Sequence, residues 1–67
     1  MHITEFKQGS EIVQTSEKKP FNALNGQVLE YIEIYRREIV LKRKQNNSYT
    51  MIHLPFAKWQ DGWELKN

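Results

Sequence analysis

The sequence predicts a mainly β protein built on a small antiparallel sheet, a three-stranded meander. The first observation is composition, since residues 28–41 are rich in β-branched and aromatic types and contain neither glycine nor proline. The second is register, because two candidate two-residue turns fold the chain so that apolar residues meet on one face. The third is size, because 67 residues allow one small domain, 1–67.

Composition also excludes several classes of protein. The absence of cysteine excludes disulfides, iron–sulfur clusters, thiolate zinc sites and a cysteine nucleophile. No apolar run approaches the roughly 18 residues of a membrane-spanning helix. The first residues, MHITEFKQGSE, have neither a basic leader nor an apolar stretch, so we expect no signal peptide. We therefore expect a soluble, cytoplasmic protein without membrane contact and without a cofactor.

The region before residue 28 predicts one short strand and a long loop. Ile12 and Val13 form the candidate strand. The stretch 14–26, QTSEKKPFNALNG, is polar and interrupted by proline, asparagine and glycine, which favours a loop. Phe21 and Leu24 are its apolar residues, and we expect them to anchor the loop to the core.

Residues 28–45 permit two interpretations. Apolar residues recur at helical spacing in the first part of this stretch, so an α+β fold with a helix over 27–37 is the alternative. The density of β-branched and aromatic residues favours strands instead. The register of the neighbouring turns decides in favour of strands.

A turn at Asn46-Asn47 sets the register of the second hairpin of the meander. Asparagine tolerates the positive φ that two-residue hairpin turns need. The two strands that flank this turn then pair residue by residue. The predicted pairs are Leu41 with Ile52, Ile39 with Leu54 and Arg43 with Thr50.

A turn near Arg36-Arg37 adds the first strand of the meander. Two arginines are poor residues for a tight primed turn, so we expect a bulge or a slightly longer loop there. The predicted pairs are Ile34 with Ile39, Ile32 with Leu41 and Glu30 with Arg43. Both turns thus place isoleucine and leucine on one face.

The C-terminal part predicts a short helical turn after the third strand. Pro55 ends the strand and suits the first position of a helix, while Gly62 suits the residue after its end. A tight turn around Asp61-Gly62 is the alternative. We expect Trp63 and Leu65 to return to the core or to form a short last strand.

Positive charge and aromatic residues coincide on the opposite face of the predicted sheet. Residues 36–44 hold five basic residues and one glutamate, a net charge of +4. The register places on this face Tyr31, Lys42, Lys44, Tyr49, Met51 and His53. Rings that stack on bases and ammonium groups that contact phosphates are typical of single-strand binding, as on small SH3- or OB-type barrels, into which such a sheet can close. The plainer interpretation is a second core face covered by other segments.

These observations favour a small, non-catalytic binding or regulatory protein. The function that we expect first is nucleic-acid binding, with single-stranded nucleic acid preferred to duplex. The candidate binding residues are Tyr31, Arg36, Arg37, Lys42, Lys44, Tyr49 and His53. An enzyme is not expected. The spacing of the carboxylates does not indicate a general acid–base pair, and no phosphate-binding glycine motif is present. His2 and His53 also have no second histidine or cysteine near them at metal-ligand spacing.

The alternative function is a protein-binding modulator. Such a protein would inhibit or adapt a larger host protein, such as a nucleic-acid-processing enzyme, through an exposed sheet edge or the region of the two tryptophans. The basic face could also meet an acidic surface of a protein partner. Trp59 and Trp63 are its candidate interface residues, since tryptophan is enriched in binding hot spots. A homodimer that completes the small core is a further possibility. The composition also fits an accessory protein of a phage or mobile element.

Overall fold

The computed structural model describes residues 1–19 and 24–66 and shows a five-stranded antiparallel sheet. The strands are β1 Glu11–Gln14, β2 Val28–Tyr35, β3 Glu38–Gln45, β4 Ser48–Pro55 and β5 Trp63–Leu65. Their order is β4-β3-β2-β1-β5, so β4 and β5 are edges and the sheet does not close into a barrel. The mainly β class is confirmed, and β2 occupies the place of the alternative helix over 27–37.

Short 3-10 turns accompany the sheet at Ile3–Glu5 and Phe56–Lys58. The second of these follows Pro55 and is a single 3-10 turn, with no α-helix over the rest of 55–61. No helix in the described part of the chain is long and apolar enough to cross a membrane. Of the two predicted loop anchors, Leu24 packs partly buried against the core, and Phe21 lies outside the described residues.

The hairpin of β3 and β4 has the predicted register. The turn at Asn46-Asn47 is closed by the pair Gln45 and Ser48, and Asn46 has a φ of 45°. Every residue of β3 pairs with a residue of β4 without interruption. The confirmed pairs are Leu41 with Ile52, Ile39 with Leu54 and Arg43 with Thr50.

The register between β2 and β3 agrees with the prediction from the turn as far as the pair of Glu33 with Val40 and differs from it beyond that pair. Ile34 pairs with Ile39 as predicted, but Leu41 pairs with Tyr31 and not with Ile32. Glu30 correspondingly pairs with Lys42, so its predicted pairing with Arg43 is wrong. A bulge between Tyr31 and Glu33 shifts the strand by one residue, and such a shift moves every earlier side chain to the other face.

The turn at Arg36-Arg37 is tighter than predicted. Tyr35 pairs directly with Glu38, which leaves the two arginines as the whole loop, with φ of 51° and 64°. The expected bulge is therefore absent from this turn and lies inside β2 instead. The guanidinium of Arg36 lies 5.3 Å from the centroid of the Tyr35 ring, a cation–π contact that favours this conformation.

The core lies on one face of the sheet, here called the inner face. The N-terminal segment and the segment before β5 cover this face with aromatic and aliphatic side chains. The buried cluster consists of Ile3, Phe6, Ile12, Leu29, Tyr31, Ile39, Leu41, Trp59 and Trp63. The indole N–H of Trp63 donates to the carbonyl of Trp59 at 2.8 Å, so the buried polar atom of Trp63 is satisfied.

Gln14 fastens the chain before β5 to the end of β1. Its side chain is 1% exposed, and it donates to the carbonyl of Asp61 at 3.3 Å and accepts from the Ser16 backbone at 2.9 Å. The Thr15 backbone N–H donates to the Gly62 carbonyl at 2.7 Å. Gly62 has a φ of 86°, and a Cβ at this residue would collide with the Gln14 amide and approach Ser16 Cβ to 2.8 Å. Only glycine fits here.

We predict that Arg37→Gly stabilises the protein. Arg37 has a φ of 64°, and this left-handed conformation costs a residue with a Cβ about 1–2 kcal/mol, which glycine avoids. After subtraction of the extra backbone entropy of glycine, the free energy of unfolding should rise by about 1 kcal/mol, as measured by urea denaturation. The control Lys44→Gly, within β3, should lower it. An unchanged or lower stability of Arg37→Gly would contradict the left-handed backbone conformation of Arg37 in this turn.

We predict that Gly62→Ala lowers the free energy of unfolding by about 2 kcal/mol or more, because it adds a clash to an unfavourable φ. Gly9→Ala is the matched control, since Gly9 has a φ of 90° but nothing within 4 Å of its added Cβ. Thermal and urea denaturation of both variants separates the two contributions. Equal losses in the two variants would show that Gln14 does not hold Gly62 as described.

Candidate functional site

The face opposite the core, here called the outer face, carries the candidate site. A row of successive cross-strand partners runs over it through β1 to β4, namely Glu11, Glu30, Lys42 and Met51. Cross-strand partners point to the same side of a sheet, so two carboxylates, one ammonium group and one thioether follow one another along this row from β1 to β4. The exposures of Val28, Tyr49 and Met51, at 36%, 60% and 39%, show that this face is open to solvent there.

Lys42, Lys44 and Tyr49 form a compact group at one end of the β3–β4 hairpin, here called the hairpin cluster. Lys44 and Tyr49 are direct cross-strand partners, and Lys42 reaches diagonally across the hairpin. The Lys42 ammonium lies 4.5 Å from the centroid of the Tyr49 ring, within cation–π range. A cation is thus held against an exposed aromatic ring, with a second cation beside it.

Glu30 partly neutralises the hairpin cluster. Its Oε1 atom lies 3.7 Å from the Lys44 ammonium, whose side chain is 70% exposed. An ion pair this exposed contributes little to stability, so the Lys44 ammonium is readily available to another anion. Sequence reasoning assigned Glu30 to Arg43, whose guanidinium instead donates to the Gln27 side chain at 3.0 Å.

A small pocket of about 150 Å³ opens beside the cluster on the outer face. The residues that line it are Glu11, Val28, Glu30, Lys42, Lys44 and Lys66. This volume is below the roughly 300 Å³ at which small-molecule sites begin. Glu11 reaches the pocket through the pairing of β1 with β2, and Lys66 through the pairing of β1 with β5, and no local signal in the sequence predicted either pairing.

The remaining outer face is acidic rather than basic. Glu33 and His53 are both cross-strand partners of Val40, as the predicted register required. The nearest carboxylate to His53 is that of Glu38, at 3.7 Å from Nδ1. The outer face near the Arg36-Arg37 turn thus carries Glu33 and Glu38. The cation–aromatic pair of this region, Arg36 with Tyr35, lies next to a carboxylate, because Tyr35 is the cross-strand partner of Glu38.

The structure separates several residues that the sequence placed together. Tyr31 lies in the core because of the bulge in β2, so its predicted position beside Lys42 on the outer face is corrected. Arg36 and Arg37 lie at the other end of β3, roughly 17–24 Å along the strand from the lysines. Trp59 and Trp63 are buried at 6% and 0% exposure, so neither presents a surface to a partner.

Comparisons of the chain with protein-family models, with curated proteins and with solved structures find no match. The chemistry of the side chains therefore has to carry any functional argument. Within residues 1–19 and 24–66, no group of three or more metal-ligating side chains is close enough to hold a metal ion. The hairpin cluster is the arrangement of exposed groups best suited to contact a ligand.

The placement of Tyr31 in the core predicts a pH dependence of stability. Burial raises the pKa of Tyr31 above its ordinary value of 10.0, and the nearby Glu33 carboxylate raises it further. In the unfolded chain Tyr31 loses its proton first, so its contribution to stability is complete below pH 10 and decreases as the pH rises above that value. The free energy of unfolding should therefore fall more steeply in the wild type than in Tyr31→Phe as the pH rises above 10.0. Parallel curves for the two proteins would place Tyr31 at the surface.

Proposed function

We propose that this protein is a non-catalytic module that binds single-stranded nucleic acid at the hairpin cluster. The observation that supports this function best is the Lys42 ammonium held 4.5 Å from the centroid of the exposed Tyr49 ring. A single strand offers both partners that this pair needs, a base to stack on the ring and a phosphate for the cation. Lys44, the cross-strand neighbour of Tyr49, supplies a second phosphate contact.

The geometry favours a single strand over a duplex. Tyr49 is 60% exposed at the edge of the sheet, where an unpaired base can reach its ring. In a duplex the bases are stacked on one another, so the Tyr49 ring could contact only their edges and could not stack on their faces. Base–aromatic stacking contributes about 1–3 kcal/mol per base and depends little on sequence, so the binding should be nearly independent of sequence.

The charge balance of the site sets the strength of binding. Lys42 and Lys44 contact phosphates, while the carboxylates of Glu11 and Glu30 line the same pocket and oppose a bound anion. With two phosphates neutralised, the slope of log affinity against log salt concentration is about −1.4 for a single strand. Affinity should then fall about sevenfold between 50 and 200 mM salt. Binding of this kind is weak and adaptable.

We predict that Lys42→Glu with Lys44→Glu lowers the affinity for a labelled single-stranded oligonucleotide at least tenfold, because both phosphate contacts become repulsive. Tyr49→Ala should lower it about 5- to 160-fold through lost stacking, and Tyr49→Phe should retain most of it. Glu30→Gln should raise it, since the carboxylate no longer competes for Lys44. Fluorescence anisotropy at 50 and 200 mM salt measures all four variants.

The matched control is Lys7→Glu with Lys58→Glu, which makes the same change of net charge at exposed positions away from the cluster. An equal loss in this control would show that only net charge matters, and would contradict a defined site. A polyglutamate peptide is the second ligand to titrate. If it binds and the oligonucleotide does not, the target is an acidic protein surface and the nucleic-acid function is wrong.

A further inference from the structure

Strand β4 is an edge strand without the usual protection against pairing. It extends over Ser48–Pro55, and every residue pairs with β3 without a bulge. Its sequence, SYTMIHLP, contains no lysine, arginine, aspartate or glutamate, and its proline comes last. Edge strands are ordinarily protected by charges, bulges, interior prolines or shortness. The opposite edge, β5, has such protection, because it is only three residues long and carries Glu64.

Within residues 1–19 and 24–66, the outer edge of β4 presents a regular row of backbone groups without a hydrogen-bond partner. In a hairpin with a two-residue loop the closing pair is hydrogen-bonded, and bonded and non-bonded pairs then alternate along the ladder. Counting from the closing pair of Gln45 and Ser48, the N–H and C=O groups of Tyr49, Met51 and His53 point away from β3. Pro55 is the next position in this series, where its missing N–H removes no bond to β3.

We propose that β4 pairs antiparallel with β4 of a second copy of this chain, about a two-fold axis that passes midway between the Met51 residues of the two copies. In this register Met51 faces Met51 of the second copy, and Tyr49 faces His53 of the second copy. Each outward N–H of these three residues then meets an outward carbonyl. The sheet continues without a break through both copies, and the unprotected edge of each copy is covered.

Side chains and charges favour a second copy as the occupant. On the inner face the register brings Thr50 opposite Ile52, and on the outer face it brings aromatic rings together, both favourable types of cross-strand pair. Met51, 39% exposed in the single chain, meets its own equivalent. The lysines of β3 lie about three strand spacings, roughly 14 Å, from those of the second copy, beyond the screening length of about 8 Å at physiological salt. No like charges therefore oppose each other at the junction.

The dimer does not rest on the proposed nucleic-acid function. A two-fold axis perpendicular to the sheet keeps the outer faces of both copies on the same side. The two hairpin clusters would then share one surface and could engage one strand together, which would raise the overall affinity. Dimerisation is measured without any nucleic acid, so the two proposals fail separately.

The absence of cysteine from the chain permits a register-specific test. Met51→Cys should form an intermolecular disulfide under mild oxidation, because residues facing each other across paired strands lie within disulfide distance. Tyr49→Cys alone and His53→Cys alone should not, since each lies four residues, roughly 13 Å, from its equivalent. A mixture of these two proteins should crosslink. Equal crosslinking of the three single variants, or of Glu64→Cys on the β5 edge, would overturn the proposal.

Sedimentation of the unmodified protein over a concentration series gives the second test. We expect the mass to rise from one copy to two, and Met51→Lys to weaken this association at least tenfold by placing two like charges opposite each other. Glu64→Lys is the matched control at the other edge and should leave the association unchanged. Circular dichroism of both variants verifies that they remain folded. A wild-type protein that stays monomeric at every concentration rules out the second copy as the occupant of β4.

Discussion

The extra residue in β2 is the constraint on which the rest of the sheet depends. Glu30 and Glu33 are three positions apart, an odd offset, so strict alternation would turn one of these carboxylates into the core. The bulge between Tyr31 and Glu33 removes this conflict and leaves both glutamates outside. It also directs Leu29 and Tyr31 inward, where they fill the centre of the buried cluster. The same shift places Glu30 against Lys44 and so sets the charge of the candidate site.

The two ends of the chain cover only the inner face. Ile3 and Phe6 come from the segment before β1, while Trp59 and Trp63 come from the last part of the chain. A domain of this size has little chain left to cover a second face, and among the described residues the outer face is open to solvent at Val28, Tyr49 and Met51. Both tryptophans are used in this cover, so the exposed aromatic side chains of the described residues lie on the strands, at Tyr35 and Tyr49.

Strands β3 and β4 combine the features that suit recognition. Their hairpin carries the exposed cation–aromatic pair on the outer face and the free backbone groups along its outer edge. A ligand that stacks on Tyr49 and a strand that pairs with β4 would contact different parts of the hairpin, because side chains and backbone groups point in perpendicular directions. One hairpin can thus serve in both ligand binding and self-association.

The local sequence by itself determined the hairpin of β3 and β4, the tight loop at Asn46-Asn47 and the cross-strand neighbours of Lys44, because a two-residue turn defines its own register. It also contained the signal of the bulge, in the consecutive apolar residues Tyr31 and Ile32 between two glutamates. The signal could be recognised only once the core was known, because both Tyr31 and Ile32 are apolar and either of them could point into the core. The tertiary structure alone decided that Tyr31 is buried, that β1 pairs with both β2 and β5, and that the tryptophans close the inner face. Those features depend on contacts between residues far apart in the chain, for which no short-range pattern carries information.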